Sequence, residues 1–471
     1  MKSPLLAAPS DTDTESEKPR SPLETFRENK KWVFLFLLCF SQLGQLYNSQ
    51  AMPTLQVPFE REMGMTEIDY SHLVIAETMP GFVFPLIGGY LVDYFGATKS
   101  FLTTNIFIIL GQSFCTLATY QKSFWVFILG KVIFNSAAEA ATLARSKLVG
   151  IWYVNNDVGK ALGAAVVLQT MAAIVCDVVY PNLYSATQSL GFPFFVGVIV
   201  CLVGAVICIR CIMMHRELLK HKGEEAIEKE GNSKISYRVI KKFPPLIWLL
   251  LGAASFGVDA FIIVKLYLGK WLQTNYDFSI GEAGSFLAAS QVMTGVATPV
   301  AGFLTDRFGR LPIFLTLAIG FIQFGVFLTL VSPTCYRCLW PAVPIAFLSM
   351  GLGPILVAGY GSLLRIVHEK ELGIATAMIP VVISAEVLVL ALLAGVIADS
   401  TYQSHGYTYV FAMALAAGLV GLTISVITHF YDLKKTKKLQ SRKLEEPPAL
   451  LDNSTDGTDV ADIEPSSFTM G

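Results

Sequence analysis

The chain has 471 residues, of which 53% are hydrophobic and only 15% are charged, and its formal net charge is -1. A soluble domain usually carries about 25% charged residues. This balance, together with a mean hydropathy of +0.55, excludes an ordinary soluble protein and indicates an integral membrane protein. The near-neutral charge gives no indication of a nucleic-acid partner, and none is expected.

Twelve apolar segments follow a polar N-terminus. The first 30 residues are rich in Ser, Pro, Asp and Glu, which predicts a disordered tail, and no signal peptide is visible. A membrane span needs about 20 mostly apolar residues. Candidate spans lie near 31–52, 70–92, 99–120, 123–146, 159–182, 192–213, 245–269, 281–304, 312–332, 341–364, 373–397 and 407–430.

A polar stretch between the sixth and seventh spans divides the chain into two halves. We therefore expect an all-α integral membrane protein with twelve transmembrane helices in two six-helix halves, which is the arrangement of a 6+6 transporter. The expected units are a cytosolic N-tail (1–30), an N-terminal bundle (31–214), a cytosolic linker (215–242), a C-terminal bundle (243–431) and a disordered cytosolic C-tail (432–471).

The distribution of basic residues predicts the orientation. The loops on the side of the N-terminus hold seventeen Lys and Arg residues, whereas the loops on the other side hold Arg61, Lys122, Lys270 and Arg337. Because basic residues accumulate on the cytosolic side of membrane proteins, we expect both termini to lie in the cytosol.

A glycine-flanked acidic turn ends the second span, and a similar turn ends the eighth. The first reads GGYLVDYFG (Gly88–Gly96) and the second AGFLTDRFG (Ala301–Gly309). Both resemble the signature loop of the major facilitator superfamily, Gly-x-Leu-x-Asp-Arg-x-Gly-Arg. The second copy is complete, with Gly302, Leu304, Asp306, Arg307, Gly309 and Arg310. The first keeps Gly89, Leu91, Asp93 and Gly96, but Tyr94 and Ala97 replace its arginines.

These turns are predicted to act as a conformational latch. Their glycines would let neighbouring helices approach closely. Their aspartates can accept hydrogen bonds from a nearby helix N-terminus, and the arginines can pair with acids. Such a latch can hold the outward-open state and break as the halves rock. The latch residues are Gly89, Asp93, Gly96, Gly302, Asp306, Arg307, Gly309 and Arg310.

Charged residues inside the spans are the candidate substrate-binding residues, because charges near the bilayer centre are costly and usually face a cavity or a partner. Lys131, Asn135 and Glu139 form a stripe at helical spacing on the fourth span. For each charge, the alternative is a structural ion pair between helices. The full candidate set is Glu139, Lys131, Asn135, Asp259, Lys265, Glu386, Tyr47 and Tyr360.

Two cysteines lie outside the spans. Cys335 and Cys338 fall in the non-cytosolic loop between the ninth and tenth spans. An oxidising compartment would permit a disulfide between them, and the alternative is a pair of free thiols.

A narrower resemblance covers the fourth span and the loop after it. The segment Gly130–Gly163 is similar to the lysosomal dipeptide transporters of the superfamily, in which a basic residue, a mid-helix acid and a tryptophan occupy the places of Lys131, Glu139 and Trp152. The stretches Leu55–Met63 and Val367–Ala377 are also similar. The resemblance implies lysosomal dipeptide transport. It also implies a glycosylated accessory membrane subunit, since the predicted luminal loops contain no Asn-x-Ser/Thr triplet.

The C-terminal tail holds a candidate sorting signal. Glu446, Leu450 and Leu451 fit the acidic dileucine pattern Asp/Glu-x-x-x-Leu-Leu. Clathrin adaptors read such signals and direct proteins to endosomes and lysosomes. A lysosomal or endosomal membrane is therefore expected, with the plasma membrane as the alternative.

Three hypotheses about function follow. The leading one is a secondary transporter that moves a small zwitterionic solute, such as a dipeptide, across the lysosomal membrane by alternating access. The second is a proton-coupled organic-anion transporter, and the third is a non-transporting sensor or scaffold with the same fold. An enzyme is not expected, because the sequence has no phosphate-binding glycine loop, metal-ligand cluster or nucleophile motif. No cofactor or metal is predicted. The expected partners are a small-molecule solute, the lipid bilayer, the accessory subunit and clathrin adaptors.

Overall fold

A computed structural model describes residues 22–153, 157–222, 237–367 and 369–440, and within these ranges it contains helices and no β-strand. We number the α-helices in chain order. They are α1 (Pro22–Phe40), α2 (Leu43–Asn48), α3 (Ala51–Thr54), α4 (Gln56–Met63), α5 (Glu67–Phe95), α6 (Ala97–Gln121), α7 (Phe124–Trp152), α8 (Asp157–Thr187), α9 (Gly191–Lys222), α10 (Pro245–Tyr276), α11 (Ile280–Phe308), α12 (Leu311–Leu330), α13 (Ala342–Ile366), α14 (Glu369–His405) and α15 (Thr408–Tyr431).

The helices confirm the predicted all-α membrane fold. In the described part of the chain, ten helices, α6 to α15, are long and apolar enough to cross a membrane by length and composition. The second span is α5, and the first is broken into the consecutive helices α1 to α3, with the short helix α4 in the connection between the two spans. The twelve spans thus form an N-terminal half (α1–α9) and a C-terminal half (α10–α15).

Helices α5 and α11, each the second span of its half, begin and end with the same local signals. Each starts with a reciprocal capping box, Thr66 with Asp69 in α5 and Ser279 with Glu282 in α11. Each ends at a glycine with positive φ, Gly96 at 81° and Gly309 at 67°, a region that favours glycine. The spacing from cap to turn is equal in both halves, which supports a duplicated six-helix unit.

The two halves meet along two helix pairs, α5 with α14 and α8 with α11. We call the end of the bundle that carries the turns after α5 and α11 the motif end, and the opposite end the far end. The largest apolar cluster includes Phe59 and Tyr180 of the N-terminal half and Trp271 and Tyr407 of the C-terminal half. It therefore joins the halves toward the far end. A separate cluster around Trp152 belongs to the N-terminal half alone.

Three expected boundaries differ from the structure. Helix α1 begins at Pro22, inside the expected N-tail. Helix α9 continues into the expected linker as far as Lys222, because His215 is buried and accepts a hydrogen bond from Trp152 Nε1 at 2.9 Å. Residues 432–440 were expected to be disordered, but they are folded around the buried side chain of Asp432.

Candidate functional site

A cluster of one lysine and two glutamates joins the halves at the far end. Lys270 Nζ of α10 contacts Glu60 Oε1 and Oε2 of α4 at 2.7 and 2.6 Å, and Glu67 Oε1 of α5 at 2.5 Å. The side chains of Lys270 and Glu67 are 8% and 7% exposed. The electrostatic attraction between these two side chains is strong, since little water screens it.

Neutral groups complete this cluster. Tyr407 Oη donates to Glu67 Oε1 at 2.7 Å, and Gln56 Nε2 donates to Glu67 Oε2 at 3.0 Å. The ring of Tyr402 lies 4.2 Å from Lys270 Nζ, within cation–π distance. Because Gln56 and Glu67 belong to one half and Tyr407 to the other, the network connects the two halves at the far end. We call Glu60, Glu67, Lys270, Gln56 and Tyr407 the far-end gate.

A second polar contact between the halves lies deeper in the bundle. Lys265 Nζ of α10 donates to Gln50 Oε1 at 2.6 Å. Asp177 of α8 is fully buried, and Lys265 and Gln291 lie close enough to interact with it. Lys265, a predicted substrate-binding residue, therefore lies between the halves and has a neutral hydrogen-bond partner.

Glu139 also faces the other half of the molecule. Its Oε1 lies 3.8 Å from the point where a Cβ on Gly81 of α5 would stand, and Ser384 Oγ of α14 lies 2.7 Å from the same point. The absence of a side chain at Gly81 therefore leaves room for Glu139 beside the C-terminal half. Within the described residues, Glu139 accepts no hydrogen bond and makes no ion pair.

The residues of the predicted stripe on α7 have different contacts in the structure. Lys131 is 2% exposed, and its Nζ makes a 3.1 Å ion pair with Glu77 Oε1 of α5. Asn135 Nδ2 donates to the backbone oxygen of Lys131 at 3.0 Å. Lys131 thus forms a structural ion pair within the N-terminal half, which was the alternative to a binding role. Glu139 has no ion-pair partner among the described residues.

The other predicted residues lie in separate places. Asp259 of α10 is fully buried, neither of its carboxylate oxygens has a hydrogen-bond partner among the described residues, and Glu386 of α14 faces it within interaction distance. Tyr47 is buried and its ring centroid lies 5.1 Å from that of Tyr180. Tyr360 is 41% exposed on α13. The predicted set is therefore dispersed over both halves.

Comparison with known proteins identifies the family. The chain matches the sequence profile of the Major Facilitator Superfamily over residues 33–268 and 263–456. The chain belongs to the Major Facilitator Superfamily. This membership makes it a secondary transporter by class, since the superfamily consists of transporters rather than enzymes.

Curated relatives and solved structures agree with this family. The lysosomal dipeptide transporter MFSD1 of Mus musculus is 23% identical over 385 residues, covering 78% of this chain and 80% of that protein. The MFSD1 of Danio rerio is 22% identical, with coverages of 86% and 87%. A bacterial homologue of the human lysosomal transporter Spinster, in an inward-facing and occupied conformation, shares the fold with a TM-score of 0.66 and 13% identity, covering 88% of this chain and 98% of that one.

The superfamily's signature turns have the expected places but not all of the expected contacts. Asp306 and Arg307 are exposed at the motif end, and Arg365 of α13 lies within electrostatic reach of Asp306. A Cβ on Gly302 would meet no atom within 4 Å, so the expected close helix approach at this glycine is wrong for this conformation. Gly89 and Asp93 lie on α5, and the structure does not describe the contacts of their side-chain positions.

Two other sequence predictions concern the ends of the fold. Cys335 and Cys338 form a disulfide in the loop between α12 and α13 at the far end. Arg337, between them, donates its backbone N–H to Tyr276 O at 2.9 Å and so fastens this loop to α10. The sorting residues Glu446, Leu450 and Leu451 lie outside the described residues. In the part of the chain that the structure describes, no cluster of three or more metal-ligating side chains occurs.

Sequence reasoning missed most of the far-end gate. The sequence places Lys270 among the loop bases, and the predicted binding residues do not include Glu60, Glu67 or Tyr407. One signal was available: four acids, Glu60, Glu62, Glu67 and Asp69, lie close together just before the second span, whereas Lys270 is the single base at the end of the seventh span.

Proposed function

We propose that this transporter moves dipeptide-like zwitterions across the lysosomal membrane by alternating access. The observation that carries the proposal is a pair of opposite charges facing the boundary between the halves. Glu139 lies there without an ion-pair partner among the described residues, and Lys265 lies there with the neutral side chain of Gln50 as its hydrogen-bond acceptor. A substrate with an amino group and a carboxylate can pair with both charges.

Lys265 is assigned to the substrate carboxylate in preference to Lys131. Lys131 is already neutralised by Glu77 at 3.1 Å within its own half. Removing a lysine from a buried pair leaves a carboxylate without a partner, which is costly. Lys265 has Asp177 within electrostatic range but makes its hydrogen bond to the neutral Gln50. It can exchange Gln50 for a substrate carboxylate at a smaller cost, because a neutral amide is a weaker acceptor than a charged one.

The conformation fits one step of alternating access. The far-end gate holds the halves together on one side, so a substrate released from this state would leave at the motif end. The excess of basic residues at the motif end supports a cytosolic position for it, with both termini in the cytosol. The far end would then face the lysosomal lumen, where a disulfide such as Cys335–Cys338 is stable.

The relatives support the same substrate class and compartment. Those from mouse and zebrafish are named lysosomal dipeptide transporters. We further propose a glycosylated accessory subunit over the far end, because the far-end loops carry no Asn-x-Ser/Thr acceptor of their own. Co-purification of a glycoprotein that protects the far-end loops from proteolysis would support this; equal protease sensitivity with and without any co-purified protein would oppose it.

Uptake by purified protein in liposomes tests the proposal. We expect saturable uptake of a dipeptide by the native protein and its loss in Glu139→Gln, which keeps the side-chain volume. Glu217→Gln is the matched control, since Glu217 is an exposed glutamate of the same half, 53% exposed in its side chain. Native uptake by Glu139→Gln would overturn the assigned role of Glu139, and no dipeptide uptake by the native protein would overturn the substrate class.

A second candidate function is proton-coupled transport of an organic anion. It is favoured by a relative named probable anion transporter 3, chloroplastic, of Oryza sativa subsp. japonica, which is 22% identical and covers 57% of this chain. In this case Lys265 would bind the anion, and the carboxyl pair Asp259 and Glu386 would carry the proton. Two facing carboxyls share a proton readily, because like charges at close range resist joint ionisation. Uptake of a monocarboxylate that depends on an imposed pH gradient would support this alternative.

A further inference from the structure

The chain after α15 folds back onto the motif end. Asp432 is fully buried, and its carboxylate accepts hydrogen bonds from Thr436 Oγ1 at 2.7 Å, from the backbone N–H of Leu439 at 3.3 Å and from Gln440 Nε2 at 3.1 Å. Leu439 is itself fully buried, and its carbonyl accepts the backbone N–H of Leu311 at 3.3 Å. The segment 432–440 is thus fixed against the start of α12, beside the second signature turn.

An open cavity of about 450 Å³ lies between this segment and the bundle. Its lining consists of Arg310, Ile313, His429, Leu433, Lys437 and Gln440. Two of these residues have left-handed backbones that residues other than glycine rarely adopt: Arg310 with φ 53° and Lys437 with φ 52°. The fold therefore holds two basic residues in unusual conformations at the edge of the same cavity, and such outliers are frequent where a ligand is held.

The polar groups of the lining are suited to an anion. A guanidinium, an ammonium, an imidazole and an amide border the cavity, and no carboxylate is among the lining residues. Asp432, the nearest acid in sequence, has its oxygens occupied by the three bonds within the segment. His429 Nδ1 is buried without a hydrogen-bond partner in the described chain. Arginine and lysine are the usual protein partners of phosphate.

The remainder of the lining indicates a lipid as the source of that phosphate. Ile313 and Leu433 give the cavity an apolar wall. The cavity lies where α12 begins and α15 ends, which is the level at which the spans leave the membrane. Lys434, Lys435 and Lys438 are exposed on the same segment, and clusters of bases next to a span attract anionic lipids.

We propose that this cavity binds the phosphorylated headgroup of a phosphoinositide, with Arg310 and Lys437 on the phosphate and Ile313 and Leu433 against the lipid. The lipid would bridge the C-terminal segment and the signature turn. With the motif end in the cytosol, this site lies in the cytosolic leaflet. Binding itself does not depend on that orientation or on the transported substrate.

The test measures binding of a fluorescent phosphatidylinositol phosphate to the full-length protein in phosphatidylcholine nanodiscs, where both faces are accessible. The test variant is Arg310→Asn with Lys437→Asn, because asparagine removes the charge and tolerates the left-handed backbone. The matched control, Lys434→Asn with Lys438→Asn, removes the same total charge of two from residues that do not line the cavity. We expect affinity to fall roughly tenfold or more in the test variant and less than about threefold in the control.

A second variant provides an independent test in case the first one misfolds. Leu433→Glu places an acid in the apolar wall at a side chain that is 40% exposed, and it should also abolish binding while the melting temperature stays native. Equal losses in the test variant and the control would mean diffuse attraction to basic residues and would overturn the site. Native affinity in Leu433→Glu would overturn it as well. Competition by the soluble inositol phosphate at the affinity of the lipid would overturn the lipid assignment in favour of a soluble anion.

Discussion

Removal of the lysine from the far-end gate should open the far end. The substitution Lys270→Met keeps an unbranched side chain of similar length but leaves the carboxylates of Glu60 and Glu67 facing each other without a cation. Both partners of the shorter ion pair are largely shielded, with side chains 8% and 7% exposed. The closed state should therefore lose about 3 kcal/mol, the lower end of the range for breaking a buried pair.

This energy applies only to the closed state, because water solvates the same carboxylates once the halves separate. A loss of about 3 kcal/mol shifts the ratio of open to closed molecules about a hundredfold. We would measure it from the distance distribution between spin labels at Gln121 and Leu339, two exposed far-end positions on different halves, in a background without free cysteines.

Two control variants make the result specific. Arg337→Met removes a far-end base whose ion pair with Glu282 spans 3.4 Å between side chains that are 49% and 43% exposed, so it should change the distribution little. The triple variant Lys270→Met, Glu60→Gln and Glu67→Gln removes the whole charge cluster and should recover most of the closure, since replacing all partners leaves no buried charge. A closed population in Lys270→Met equal to that in Arg337→Met would refute the gate.

Three further predictions concern pH, the signature turn and sorting. Burial raises the pKa of Glu60 despite the nearby Lys270, so the closed state binds a proton more tightly than the open state. The closed population should therefore increase as the pH falls toward the ordinary carboxyl pKa of about 4. The substitution Glu60→Gln should remove this pH dependence of the spin-label distances. Asp306→Asn should slow dipeptide uptake but leave substrate affinity within about threefold, the ordinary loss for an exposed charge; a collapse of affinity would place Asp306 in the binding site. Replacing Leu450 and Leu451 by alanine should move a fluorescent fusion toward the plasma membrane, and an unchanged lysosomal pattern would exclude this signal.

The sequence predicts the fold well because membrane spans impose strong local constraints. Twelve apolar segments, the excess of bases on one side and the two signature turns depend on length and composition, which do not require tertiary contacts. The breaks within the first span, between α1 and α3, and the helix α4 that follows were not predicted. They depend on how these short helices pack against α9, α8 and α10, which composition does not encode.

The site is predicted less completely, because a buried charge has the same appearance in sequence whether it binds a substrate or a neighbouring helix. Lys131 and Glu139 lie on one helix, yet Lys131 forms an ion pair with Glu77, whereas Glu139 lies beside Gly81 at the boundary between the halves. The far-end gate combines residues from α4, α5 and α10 and the residue before α15, so only the packing of the halves brings them together. The fold of residues 432–440 was also missed, since its organising residue, Asp432, lies among lysines typical of a solvated tail.

Recognition of both substrate termini is the central claim, and one binding measurement tests it most directly. Thermal shifts of the purified protein would be compared for a free dipeptide, its N-acetyl form and its C-amide form. With Glu139 on the amine and Lys265 on the carboxylate, the free dipeptide should stabilise the protein, and each blocked form should lose most of that stabilisation. Equal stabilisation by the N-acetyl form would contradict the role of Glu139 and support the organic-anion transporter instead.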